Sequence, residues 1–228
     1  QKIHYWTKIF KRLLKIRLGK FGTGIVLLLI VSALFAALIS PYDPAAQDYK
    51  AIFQPPSLEH PMGTDHFGRD VLSRVIHGSR ISIVVGVLSV TLSVIVGSLI
   101  GLVAGYYSGW IDEILMRFMD ALYAFPALLL ALALTAVLGS GINNVIIALS
   151  IVYSPIFARL VRAQTLSVRE KEYVTASFAL GASTFAITKN HIIPNISSAI
   201  IVQATLSVGF AIIVEAALSF LGVGIQPP

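Results

Sequence analysis

The 228-residue chain is 56% hydrophobic and only 12% charged, with a mean hydropathy of +0.83 and a net charge of +6. Soluble domains carry about 25% charged residues, so this composition excludes an ordinary water-facing globule. The lack of cysteine excludes disulfides and thiolate-bound metals.

Seven basic residues (Lys2, Lys8, Lys11, Arg12, Lys15, Arg17 and Lys20) open the chain with no acid among them. Ile3, Trp6, Phe10, Leu13 and Leu14 share a helical face there, which suits an amphipathic helix on the inner leaflet; a frayed basic tail is the competing reading. The chain begins with Gln1, so the true N-terminus is expected upstream. Residues 21–40, 81–111, 121–158 and 192–214 hold no Asp, Glu, Lys or Arg. About 20 apolar residues cross a hydrocarbon core about 30 Å thick. The run 121–158 is too long for one crossing and breaks at Gly139-Ser140-Gly141-Ile142-Asn143-Asn144, a turn by composition. The pattern predicts an all-α integral membrane protein with five spans, near 21–40, 81–106, 120–139, 143–163 and 197–220. The first is an anchor rather than a signal peptide, because its apolar run exceeds the roughly 7–15 residues of a secretory core.

Charge sets the orientation. Basic flanks stay in the cytoplasm, so the N-terminus is expected inside. Alternation then puts 41–80, 140–142 and 221–228 outside, and 107–119 and 164–196 inside. The loop 41–80 carries a net charge of −1 and the stretch 159–191 a net +3, as this topology requires. The basicity thus reflects a bilayer and gives no nucleic-acid footprint. Within 41–80, Thr64 or Asp65 is placed to cap a short helix carrying Asp70 and Arg74 at i,i+4. In the second span Gly97, Gly101 and Gly105 form a smooth stripe suited to close helix packing. Pro126 and Pro155 are expected near span ends, where neighbours re-satisfy lost backbone bonds. Glu215 lies well inside a span; it either faces the pathway or hydrogen-bonds between helices.

No phosphate-binding G-x-x-x-x-G-K-[ST] loop, no H-E-x-x-H helix and no G-x-S-x-G elbow occurs. His4, His60, His66, His77 and His191 are scattered over both sides, so no ligand cluster is apparent, and Asp65 with His66 is a poor metal pair. The chain is expected to be non-catalytic and to bind no cofactor of its own. A lone buried acid is thin support for a proton relay, which favours an energy-supplying partner.

The polar stretch 164–196 carries most of the information. Tyr173, Ala176 and Leu180 fall at helical spacing, Gly181 is placed to end that helix, and Ala182-Ser183-Thr184 to cap a second that runs to about His191, before Pro194. The spacing A-S-x-x-x-G at Ala176, Ser177 and Gly181, followed by Pro194, resembles the EAA loop of ABC importer permeases. Thr175 stands where that family usually has Glu, so a salt bridge from this position is not expected. PYDPAAQD at 41–48, HPMGTDHFGRDVLSRVIHGSR at 60–80, LMRFMDALYAFPALLLALAL at 115–134, ARLVRAQTLSVREKEYV at 158–174 and EAALSFLGVGIQPP at 215–228 resemble the dipeptide/oligopeptide branch, which nickel importers share.

The resemblance implies a type I importer permease fold with a sixth span beyond Pro228. It divides the chain into a basic segment 1–20, a first span 21–40, an extracytoplasmic loop 41–80 and a permease core 81–228. It implies a coupling helix in which Glu172, Tyr173, Thr175, Ala176, Ser177, Gly181, Ala182 and Pro194 contact an ATPase. The implied partners are a second homologous permease, two ATP-binding subunits holding ATP and Mg, an extracytoplasmic binding protein and a peptide substrate, moved by alternating access. Asp65, Arg69 and Glu215 are the candidates for pathway or gate; for the outer-loop pair, a purely structural role competes. A stand-alone secondary transporter or channel, or a membrane scaffold, are the readings from other classes.

Overall fold

The computed structural model describes residues 15–225. The amphipathic segment proposed on Ile3, Trp6, Phe10, Leu13 and Leu14 lies outside the described residues. The chain divides into two units, Gln1–Ile83 and Val84–Pro228.

In the first unit, α1 (Arg17–Leu34) is followed after Phe35 by a single further turn, α2 (Ala36–Ile39). Most side chains of α1 are exposed, as a helix facing hydrocarbon requires. Residues 40–70 are irregular but tightly bonded. Thr64 and Asp70 form an isolated antiparallel bridge. Thr64 Oγ1 donates to the Ala51 carbonyl and accepts from Gln54 N at 2.8 Å. Gly68 has φ +72° and its Cα faces the chain at Asp48, where a Cβ would lie 1.8 Å from the carbonyl oxygen. Helix α3 (Val71–Tyr107) starts ten residues before the span read from the charges. Asp70 explains this, because its Oδ2 accepts from Ser73 N at 2.7 Å and Ser73 Oγ at 2.6 Å, the bonding of an N-cap. Asp70, not Thr64 or Asp65, is therefore the cap, and Arg74 lies 3.7 Å from Asp65 rather than pairing with Asp70.

The second unit is built around α6 (Ile142–Arg169), whose buried residues include Val145, Leu149, Phe157 and Val161. The segment 107–119, read as a loop, is largely helical: α4 (Gly109–Tyr123) follows α3 after Ser108 alone. The expected single span 120–139 is instead broken. After α4, the chain bends by 92° into α5 (Ala127–Leu138). Pro126 supplies the reason, since it cannot donate a backbone bond and drives Phe125 out of the helical region. Pro155, by contrast, sits inside α6 without ending it.

The glycine stripe is a packing seam. A Cβ on Gly97 would meet Ser154 O at 2.4 Å, on Gly101 Ala158 O at 2.5 Å, and on Gly105 Thr165 Cβ at 2.8 Å. Contacts advance along both helices in the same sense, so α3 and α6 run parallel. Parallel neighbours leave the bilayer on the same side. The chain between them must therefore cross back once, and the bent α4–α5 pair is the segment that does so. Counted this way the described residues hold five candidate spans.

Candidate functional site: the elbow after α6

After α6 come α7 (Glu172–Ala179), the short α8 (Thr184–Ile187), a wide π turn (Thr188–Ile192) and α9 (Ile193–Phe220). Gly181 ends α7 as its sequence predicts. It has φ +81°, its N–H donates to Phe178 O at 3.0 Å, and Ala182 N donates to Ser177 O at 3.1 Å. This pair of bonds is the Schellman arrangement, which needs a left-handed residue and favours glycine. Ser183 then caps α8 by accepting from Ala186 N at 3.3 Å. The second helix does not stop before Pro194: it widens into the π turn and continues as α9, with Pro194 in the first turn. A proline there has no N–H for the preceding turn and crowds its carbonyl, and a widened turn relieves both.

The elbow is held from two sides. Val174, Ile187, Ile192 and Ile196 are buried against Val161 and Val168 of α6. Ser177 Oγ lies 2.8 Å from Tyr173 O and 3.3 Å from His191 Nε2, and the Tyr173 and His191 rings are 5.8 Å apart. His191, passed over in the sequence as one scattered histidine, therefore fastens α7 to the π turn. What remains outside is apolar: Phe178 is 69% exposed, Leu180 89% and Phe185 75%. Glu172, Thr175, Ala176 and Pro194 are exposed as well, while Ser177 and Ala182 are half-buried. Thr175 and Phe178 line a cavity of about 400 Å³ with Tyr106, Tyr107, Arg169, Val174 and Ile187.

The other candidates lie elsewhere. Asp65 Oδ1 accepts from Phe67 N at 2.8 Å and Arg69 N at 3.0 Å, and its Oδ2 from Arg69 Nε at 2.8 Å. Burial pushes the Asp65 carboxyl up, but these bonds outweigh it and hold it below the usual carboxylate value. Asp65 and Arg69 thus form one local turn, with Arg69 stacked 4.8 Å over Phe67. Glu215 is buried in α9 and accepts from Ser219 Oγ at 3.0 Å.

Sequence reasoning counted Arg159, Arg162 and Arg169 only as inward charge. The structure gives each a partner. Arg162 forks onto Asp112, with Nε–Oδ1 and Nη2–Oδ2 both 2.5 Å. Arg159 Nη2 reaches Asp120 Oδ1 at 2.6 Å, and Arg169 Nη1 reaches Tyr106 O at 2.5 Å. The signal available was the acidic stretch 112–120, with Asp112, Glu113 and Asp120 against Arg117 alone, facing the arginines of 159–169 on the same expected side.

A bundle of membrane-length helices with a broken span and a rigid apolar-tipped elbow outside it defines a polytopic transport-type membrane protein. Residues 97–228 match the family described as binding-protein-dependent transport system inner membrane component, and residues 4–56 match the N-terminal TM domain of oligopeptide transport permease C. The chain is 45% identical to the dipeptide transport system permease protein DppC of Alkalihalophilus pseudofirmus, over 98% of this chain and 73% of that protein. It is 42% identical to the glutathione transport system permease protein GsiD of Pectobacterium atrosepticum and 46% to that of Escherichia coli O157:H7, each over 98% of this chain and 74% of the relative. The chain belongs to the family of inner membrane components of binding-protein-dependent transport systems, the ABC importer permeases. Membership brings with it an ATPase and a binding protein as system partners.

Proposed function

We propose that this permease carries small peptides inward across the bacterial cytoplasmic membrane by alternating access, with its N-terminus in the cytoplasm. It catalyses no reaction and binds no nucleotide itself; two ATP-binding subunits hold ATP and Mg and hydrolyse it. A second, homologous permease completes the pathway, and the binding protein delivers peptide at the outer face. The names of the relatives, one for dipeptide and two for glutathione, support a small peptide as cargo.

The observation that carries the reading is the elbow: a segment cemented to α6 by buried valines and isoleucines, yet tipped by exposed Phe178, Leu180 and Phe185. Large apolar side chains in water call for a partner surface, and a rigid seat lets that partner bias one conformation over another. Residues Glu172, Tyr173, Thr175, Ala176, Ser177, Gly181, Ala182 and Pro194 are the proposed contact set. Because α3 and α6 run parallel, the α3–α4 corner and the elbow share one side of the membrane, and the net positive charge of 159–191 supports the cytoplasm as that side. Asp65 and Arg69 are proposed to shape the outer face, and Glu215 to face the permeation route.

Purification in mild detergent, followed by reconstitution with the ATP-binding subunits and binding protein, tests the proposal. ATP-dependent uptake of a labelled di- or tripeptide is expected. Uptake by the lone chain driven by an ion gradient would overturn it in favour of a secondary transporter.

A further inference from the structure

Helix α4 is a stiff segment between two joints. On one side Ser108 and Gly109, at φ +56° and +62°, turn the chain out of α3; on the other, the 92° break at Ala124–Pro126 leads into α5. Joints of this kind absorb backbone rotation, so neither neighbouring helix in the chain fixes where α4 points. Side chains from α6 do. Arg169 Nη1 holds the corner before α4 through Tyr106 O at 2.5 Å and Ser108 Oγ at 3.0 Å. Arg162 grips Asp112 in the first turn of α4 with both nitrogens at 2.5 Å, and Asp112 is largely buried. Arg159 bonds Asp120 at 2.6 Å and stacks 4.3 Å over Tyr123, the last residue before the break. Separations of three and seven residues put the three arginines on one side of α6. Three residues beyond Arg169 the chain enters α7.

We infer that Arg159, Arg162 and Arg169 are positioning residues that make α4 move as one body with α6, so that displacement of the elbow is delivered to the broken span α4–α5. This rests on the coupling role proposed above for the elbow and extends it, by naming the route into the membrane. A fork pair such as Arg162–Asp112 fixes direction as well as distance, and a chain of contacts transmits only if its members shift together. A purely stabilising role would lower the amount of folded permease and every activity in proportion. A positioning role separates ATP hydrolysis from transport.

The test uses the complete transporter in proteoliposomes, comparing the unaltered chain with Asp112→Asn/Asp120→Asn and with the exchange Asp112→Arg/Arg162→Asp. ATPase subunits retained per permease, hydrolysis without peptide, and peptide taken up per ATP are measured together. We expect the asparagine variant to keep its ATPases and basal hydrolysis within about twofold while uptake per ATP falls at least tenfold; the exchanged pair should recover a substantial part. Unchanged uptake per ATP, or equal loss of all three readouts, overturns the inference. Should the double variant not fold, Asp120→Asn alone, at the more exposed pair, carries the same test with a smaller expected loss. Spin labels on Trp110→Cys and Asn190→Cys, the latter exposed in the π turn and outside the proposed contact set, give a second readout in the assembled complex. Their separation should stay constant between nucleotide-free and ATP-bound states in the otherwise unaltered chain and change in the asparagine variant; a change already present without the asparagines refutes rigid motion. If the unaltered chain retains no ATPase at all, the coupling proposal fails first, and that outcome is distinguishable.

Discussion

Replacing Gly101 by Ala tests the parallel seam on which the topology depends. The new Cβ would sit 2.5 Å from Ala158 O, 2.9 Å from Val161 Cβ and 3.0 Å from Arg162 N. Two of these are backbone atoms, so no rotamer change relieves the contact and α3 must move off α6. Overpacking of this kind costs about 1–3 kcal/mol. Alanine also gains about 1 kcal/mol of intrinsic helix propensity over glycine, which masks part of the cost. Gly209→Ala removes that ambiguity, since Gly209 lies within α9 with nothing inside 4 Å of its would-be Cβ. Both substitutions share the propensity term, and their difference isolates the seam. For a chain of this size each kcal/mol is worth roughly 2–4 °C in Tm, so Gly101→Ala should melt roughly 2–12 °C below Gly209→Ala in detergent. Coincident melting temperatures would refute the close approach of α3 and α6.

At the elbow, Gly181→Pro forces a negative φ where +81° is needed; membrane insertion should persist while peptide-stimulated ATPase activity is lost. Ala176→Glu, on the exposed side of α7, should weaken stimulation similarly, and normal stimulation in either variant counts against the contact set. Single cysteines introduced at 176–187 into this cysteine-free chain should crosslink to the ATPase subunit, whereas those at 140–144 should not. In the outer loop, burial raises the Asp70 carboxyl, but bonds from Ser73 and His60 outweigh this and lower its pKa below 3.8. Its stabilising contribution is therefore complete above that value and lost as pH falls through the lowered pKa. Asp70→Ala should destabilise the start of α3 by about 0.5–2 kcal/mol at pH 7, measured by proteolysis of the 41–70 region, and the difference from the unaltered chain should shrink as acid protonates the Asp70 carboxyl.

Where composition and spacing report directly on physics, the sequence was readable. Uncharged runs of membrane length located α1, α3, α6 and α9, because hydrocarbon excludes charge regardless of tertiary context. The glycine stripe and the end of α7 at Gly181 were legible for the same reason, each being a local steric requirement. The starts of helices fared worse. Arg74 and Arg80 suggested a loop, yet α3 already runs through them, because a cap at Asp70 sets a helix start more firmly than surface charge does. The break at Pro126 was hidden because α4 and α5 together are as apolar as one span, and hydropathy does not register direction. His191 and the arginine–aspartate pairs join residues 14 to 50 positions apart, and spacing along the chain says nothing of such partners.

The parallel run of α3 and α6 links these observations. If the two helices were antiparallel, the α3–α4 corner and the elbow would lie on opposite faces, and Arg169 could not reach Tyr106 and Ser108. Because they are parallel, one α-helix, α6, touches the seam, the corner, both ends of α4 and the root of the elbow through residues 154–169. Small residues on α3 permit that proximity, and arginines on α6 exploit it. The bent pair carries no such glycine stripe, and its first half is held where Asp112 and Asp120 meet guanidinium groups and where Met119 is buried. A permease that must change shape while staying assembled needs this division: backbone-to-backbone contact where helices move together, and directed ion pairs beside a break where one of them turns.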